Sequence, residues 1–252
     1  MFFKDLSDGV TSYSKALNLI SKLNLWKYFF IPALIGLFIG VGVVWLAIGT
    51  SDNIGNSLAQ IWIWDWGKEG FTTLSHWIGG VLVLIIGMVA FKHIVQAFSS
   101  PFMGPVSEKI EAHLTGKQIE SNPFMVLLIR GIRINIRNLF REVIFTLPLI
   151  ILGFIPIVGL ISTIFIFYIQ CYYAGYGNMD YTLERYLSYK ESTEFVKKNR
   201  GLAAGNGLLF ILMLFIPILG ITLTLPISTV AATIETLKRL EKDGKVVLLK
   251  NS

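Results

Sequence analysis

Two long runs of this chain carry no charge, and each is interrupted near its middle by almost the same six residues. Val143–Met179 contains FIPIVG at Phe154–Gly159, and Gly201–Ile234 contains FIPILG at Phe215–Gly220. As one straight helix, either run would be about 50 Å long at 1.5 Å per residue, against a bilayer core of about 30 Å. Two complete crossings would need roughly 40 apolar residues plus a turn, more than either run supplies. The length fits a helix that enters partway, reverses at the Pro/Gly element and returns to the same side. Proline removes a backbone donor and glycine permits a tight reversal. Backbone freed this way sits at membrane depth only where protein or a water-lined cavity satisfies it. The turns are therefore expected at Pro156 and Gly159, and at Pro217 and Gly220. A kinked, tilted helix that crosses once is the competing reading of each run.

Composition agrees with a membrane protein. Hydrophobic residues make up 54% of the 252 and charged residues only 15%, where a soluble domain carries about 25%. The formal charge of +6 is scattered, which suits basic loops against anionic lipid headgroups and not nucleic acid. The single Cys171 excludes an intramolecular disulfide framework and a cysteine zinc cluster, and reads as a buried structural thiol. His76, His93 and His113 lack ligand spacing, so no metal is expected. The opening residues MFFKDLSDGV place Asp5 and Asp8 ahead of any long apolar core, unlike a cleavable signal peptide.

Along the chain, Leu6, Val10, Tyr13, Leu17 and Ile20 mark one helical face, opposite Lys15 and Lys22. Residues 1–28 thus read as an amphipathic helix and a connecting loop, the helix lying in the interface or on the protein's own core. Residues 29–48 form the clearest transmembrane helix, and 77–98 a second crossing antiparallel to it. Between them, 49–76 is polar and turn-rich, with Trp62, Trp64, Trp66 and Trp77 as interfacial aromatics. After SSPFMGP, a charged helix starts near Ser107, and residues 99–142 read as cytoplasmic or interfacial helices. Within them Arg130, Arg133, Arg137 and Arg141 fall on one helical face, placed to meet lipid phosphates or to capture anions on a permeation route. Hairpins at 143–174 and 201–234 flank a cytoplasmic helical segment at 175–200, and 235–252 forms a tail. Asp180, Glu184 and Glu191 read as solvated loop charges.

Basic residues orient the chain. Gly49–His76 has one Lys and no Arg, whereas Lys92–Glu142 has seven basic residues and Gly175–Arg200 has five. The positive-inside rule places 49–76 outside and the other loops in the cytoplasm. That pattern fits an all-α integral membrane protein with two transmembrane helices, two re-entrant hairpins and amphipathic interfacial helices. Paired Pro/Gly-broken segments are also the usual sequence pointer to a transport site.

SSPFMGPVSEKIE, MDYTLERYLSYKESTEFVKKNRGLAAGNGLLF and LPISTVAATIETLKR resemble the CysZ-type sulfate permeases of the etoposide-induced protein domain family, and the likeness runs from about Ser14 to Arg239. The resemblance implies a multi-pass protein of the bacterial inner membrane, with two long transmembrane helices and two half-penetrating hairpins. It also implies a homo-oligomer that takes up sulfate for cysteine synthesis. The family's sulfate-binding loop, Gly-Leu-Arg before the first transmembrane helix, corresponds to Asn24, Leu25 and Trp26, followed by Lys27. Only the leucine matches, and Lys27 lacks the planar fork of an arginine. Three functions follow for testing: an oxyanion permease or channel, with sulfate first; a non-transporting, bilayer-shaping scaffold; and an enzyme. No nucleophile–base set, metal cluster, Walker motif or cofactor motif supports the third.

Overall fold

The computed structural model of the protein describes residues 2–60, 66–120, 122–153, 155, 157–216 and 219–249. In chain order the elements are α1 (Phe2–Lys22), a 3-10 turn (Leu25–Phe29), α2 (Phe30–Ala59), α3 (Lys68–Thr115), α4 (Phe124–Leu152), α5 (Val158–Leu183), α6 (Tyr189–Lys198), α7 (Arg200–Leu214) and α8 (Leu219–Lys242). Among the described residues there is no strand. The long apolar helices at Leu25–Thr50 and Val158–Leu183 have the length and composition to cross a membrane.

Each interrupted run is two helices packed side by side. On α3, Lys92 bonds both Glu142 of α4 and the Gln170 carbonyl of α5, residues equally far from the FIPIVG proline position. Likewise Asn206 of α7 bonds the Ser228 carbonyl of α8, equally far from the centre of FIPILG. Contacts symmetric about the turn require antiparallel arms, so neither run is one kinked helix. Pro156 and Pro217 lie outside the described residues. The glycines do not make the reversal by unusual dihedrals. Gly159 and Gly220 sit in the first turns of α5 and α8, and the positive φ of 70° belongs to Ile157. What each glycine supplies is clearance. A Cβ on Gly159 would lie 2.5 Å from the Gly153 carbonyl oxygen, and one on Gly220 would lie 2.3 Å from that of Met213.

Three expectations change. The polar stretch 49–76 is mostly helix, because α2 continues to Ala59 and α3 begins at Lys68. The extensions support each other: His76 Nε2 lies 2.9 Å from Asn56 Oδ1, and Gly55 packs against the His76 ring. Trp62 and Trp64 fall outside the described residues. The second crossing does not stop at SSPFMGP; α3 runs unbroken through Pro101 and Pro105. Burial of this stretch against its neighbours overrides the local cost of two missing donors. Finally, the segment 175–200 is not one cytoplasmic helix. It holds the buried C-terminal part of α5, a turn, and α6, which begins with a capping box between Ser188 and Glu191.

For α1, packing on the protein's own core is the reading that holds. Its inward face carries Gly9, Tyr13, Ala16 and Ile20, while Leu17 is exposed. Small residues let it approach α7 closely: a Cβ on Gly205 would come within 2.2 Å of the Leu6 carbonyl oxygen. Asp5 and Asp8 tie the helix to Arg239 of α8 at 2.8 and 2.9 Å. Cys171 is buried, as its surroundings in the sequence suggest. Large exposed apolar side chains line α2, including Phe30, Phe38 and Trp45, and crowd the first hairpin's tip, including Ile151, Ile157 and Leu160. Such surface is the kind that faces lipid.

Candidate functional site

The bases of the two hairpins close around α3, and a column of buried polar groups follows that helix. From Lys92 to Glu111 it extends about 28 Å at 1.5 Å per residue. Its deep end is a cluster of ionisable groups. Lys92 Nζ donates to Glu142 Oε1 at 2.8 Å and to the Gln170 carbonyl at 3.1 Å. The second oxygen of Glu142 lies 2.9 Å from His93 Nε2, and His93 Nδ1 lies 3.4 Å from Asn135 Oδ1. Lys92, His93, Glu142 and Asn135 are all buried. Beside Lys92 a cavity of about 260 Å³ opens between the hairpins, lined also by Thr163, Phe167, Gln170, Ile211 and Phe215.

A relay of amides occupies the middle. Gln96 Nε2 donates to the Ala174 carbonyl and to Asn178 Oδ1, at 2.8 and 2.9 Å. Asn178 Nδ2 donates to Asn206 Oδ1 at 2.8 Å, and Asn206 Nδ2 to the Ser228 carbonyl at 3.0 Å. The Tyr13 hydroxyl donates to the Asn206 carbonyl at 2.7 Å. One chain of hydrogen bonds therefore joins α3, α5, α7, α8 and α1. Gln96 Oε1 has no partner among the described residues, but every amide nitrogen of the relay is bonded, and such directed bonds fix a single packing.

The outer end carries the remaining charges. Ser107, Thr182 and Thr233 form a hydroxyl triangle with edges of 2.9 to 3.1 Å. Arg185 Nη2 donates to Ser107 Oγ at 2.8 Å and Arg185 Nε to Glu111 Oε2 at 2.7 Å, while the Tyr186 hydroxyl bonds the other Glu111 oxygen. Arg130 reaches both oxygens of Asp180 at 3.3 and 3.4 Å, and its Nε lies 3.8 Å from Glu184. Burial, with the Asp180 charge adding to it, pushes the Glu184 carboxyl up to about 8, against the pull of Arg130 and Arg185. Asp180 and Glu184 are therefore internal partners and not solvated loop charges. Glu191 alone of the three is exposed, and its hydrogen bonds from Ser188 hold its carboxyl below the usual range.

The arginine stripe is divided by the fold. Arg130 and Arg137 turn inward. Arg137 lies between the Tyr176 and Tyr189 rings at 4.6 and 4.5 Å and donates to Thr193 Oγ1 at 2.5 Å. Arg133 is exposed at a cleft of about 340 Å³ shared with Val126, Ile129 and Tyr189. Arg141 is half-buried, and neither it nor Arg133 has a carboxylate partner among the described residues. Asp180 and Glu184 thus offset the Arg130 charge, whereas Arg137 is held only by aromatic rings and neutral oxygens. The loop before α2 stands apart from them. Asn24 is left-handed at φ 52°, Leu25 is buried in the core, Trp26 and Lys27 are exposed, and Lys27 and Lys109 flank the Tyr28 ring at 5.5 Å each. Sequence reasoning missed Lys109, and more consequentially Lys92, His93 and Glu142. The available signal was a charge abutting an apolar run: Lys92 closes the uncharged run Trp77–Phe91 inside the second crossing, and Glu142 precedes Val143.

Long apolar helices with exposed apolar side chains, packed around buried, paired polar groups, are the composition of an all-helical membrane protein. The family sequence model described as Sulfate transporter CysZ/Etoposide-induced protein 2.4 matches residues 12–224, and the chain belongs to that family. Curated relatives named Sulfate transporter CysZ cover most of it. That of Vibrio cholerae serotype O1 is 24% identical over 238 residues, 89% of this chain and 91% of the relative. That of Pseudomonas syringae pv. tomato is 23% identical over 235 residues, 87% and 88% of the two chains. A third, from Pseudomonas paraeruginosa, is 26% identical over 177 residues. These relatives carry the names of transporters and not of enzymes.

Proposed function

We propose that this protein is a permease or channel for a small inorganic oxyanion, sulfate first, in a bacterial inner membrane. The named relatives support the substrate class, and one observation carries the route: the buried Lys92 cation at the wall of a cavity between two hairpins. An oxyanion is kept out of hydrocarbon by the cost of stripping its water. Lys92 Nζ gives two of its three protons to Glu142 and the Gln170 carbonyl, and offers the third as a donor in place of that water. Glu142 balances the lysine charge, so the site attracts an anion without trapping it, as conduction requires. Ionisable groups at membrane depth mark transport pathways more often than they mark stability.

The hairpins enter the bilayer partway in this reading. The apolar arms Val143–Leu152 and Val158–Phe167 are each about 15 Å long, half of the hydrocarbon core. The bases are held by the column, and the tips meet lipid or a second copy of the chain. Sulfate taken up this way would feed cysteine synthesis, and a homo-oligomer would complete the route. The exposed apolar tips equally suit a scaffold that shapes bilayers, so flux is the deciding measurement. Proteoliposomes of the wild-type protein should take up labelled sulfate, and Lys92→Met should lower the initial rate at least tenfold. Uptake no greater than in empty vesicles, from correctly inserted protein, would sink the permease reading.

A further inference from the structure

Away from the column, a second cleft of about 370 Å³ lies at the base of both hairpins, lined by Phe145, Tyr168, Tyr172, Tyr173, Lys197 and Arg200. Its charged groups are cations: Lys197 lies in the last turn of α6 and Arg200 begins α7, a 15-residue helix whose first amide groups lack a side-chain cap. Those amides add the partial positive charge of a helix N-terminus. Phe2 braces Arg200, whose guanidinium lies 6.0 Å from the ring centre. The independent observation is Tyr173. It lines the cleft, is only 5% exposed, and its hydroxyl has no hydrogen-bond partner among the described residues. A hydroxyl in a cleft wall that bonds no protein group has its donor free for a ligand. The neighbouring carboxylate, Glu142, has both its oxygens engaged by Lys92 and His93.

We infer that this cleft is a binding site for a tetrahedral oxyanion, with Lys197 and Arg200 supplying charge and the Tyr173 hydroxyl supplying a donor. The same chemistry recognises the phosphate of an anionic lipid headgroup and free sulfate. The site is separate from the Lys92 cavity and does not depend on transport through it. Occupied by lipid, it would pin the base of the second hairpin to the headgroup layer; occupied by sulfate, it would gather the anion at the mouth of the protein.

Two binding measurements separate the sources. Native mass spectrometry with added phosphatidylglycerol reads the lipid, and calorimetric titration of delipidated protein with sodium sulfate reads the free anion. Lys197→Ala/Arg200→Ala, both exposed positions, should weaken at least one of these tenfold or more. Tyr173→Phe should weaken the same one severalfold while leaving the melting temperature near that of the wild type. Loss confined to phosphatidylglycerol assigns a lipid site, and loss confined to sulfate assigns a free-anion site. If the double variant binds both ligands as the wild type does, or the wild type binds neither, the inference is overturned. Flux through Lys92 is measured separately, so either idea can fail while the other stands.

Discussion

At the scale of single residues, the chemistry of this protein lies in charges that the interior has captured. Glu184 shows the consequence for stability. Its folded carboxyl holds a proton up to about pH 8, whereas the unfolded chain releases it near the ordinary 4.5. Below that window both states are protonated. Between the two values the folded state binds the extra proton, so stability falls as pH rises through the window and levels off above it. Thermal denaturation in detergent from pH 5 to 8.5 should therefore show the wild type losing several degrees relative to Glu184→Gln. Parallel curves for the two proteins would contradict the assignment. Arg130 teaches a complementary lesson. Removing one partner of a buried pair strands the other, so loss of Arg130 would leave Asp180 uncompensated, and a transport defect in such a variant would not by itself identify an anion ligand.

Among elements, contact distance is set by residues without side chains. At the crossing of α5 and α7, a Cβ on Gly207 would lie 1.7 Å from the Cys171 carbonyl oxygen, and one on Gly175 would lie 1.8 Å from that of Ala203. Helices inside lipid gain little from hydrophobic burial against one another, so such close backbone approach supplies much of their attraction. Gly207→Ala must push the helices apart and is expected to destabilise the protein by about 2 kcal/mol or more. A melting temperature unchanged by this substitution would show that the two helices do not cross this tightly. Because Asn178 and Asn206 lie on the same two helices, the change should also loosen the amide relay, visible as faster amide hydrogen exchange in α7. Gly42 meets nothing within 4 Å, so Gly42→Ala is the matched control and should cost far less.

For the whole molecule, the arrangement in the membrane is the prediction that matters. Single cysteines in a Cys171→Ser background, placed at Lys190 and Glu194 between the hairpins, should react with an impermeant maleimide only from the cytoplasmic side. Reaction only from the opposite side would rule out the half-depth hairpins. What the sequence alone determined is what local chain chemistry dictates: a helical protein of membrane composition, a first helix long and apolar enough to cross a bilayer, and two breaks at FIPIVG and FIPILG where proline cannot continue the hydrogen-bond ladder. It also carried the family resemblance that the comparison bears out. Tertiary structure alone decided which charges face inward. The helical period puts Arg130, Arg133, Arg137 and Arg141 on one face, but only the position of α5 and α6 consumes Arg130 and Arg137 and spares the other two. Lys92, His93 and Glu142 meet for the same reason, since helical periodicity fixes a side chain's direction but not the neighbour it encounters.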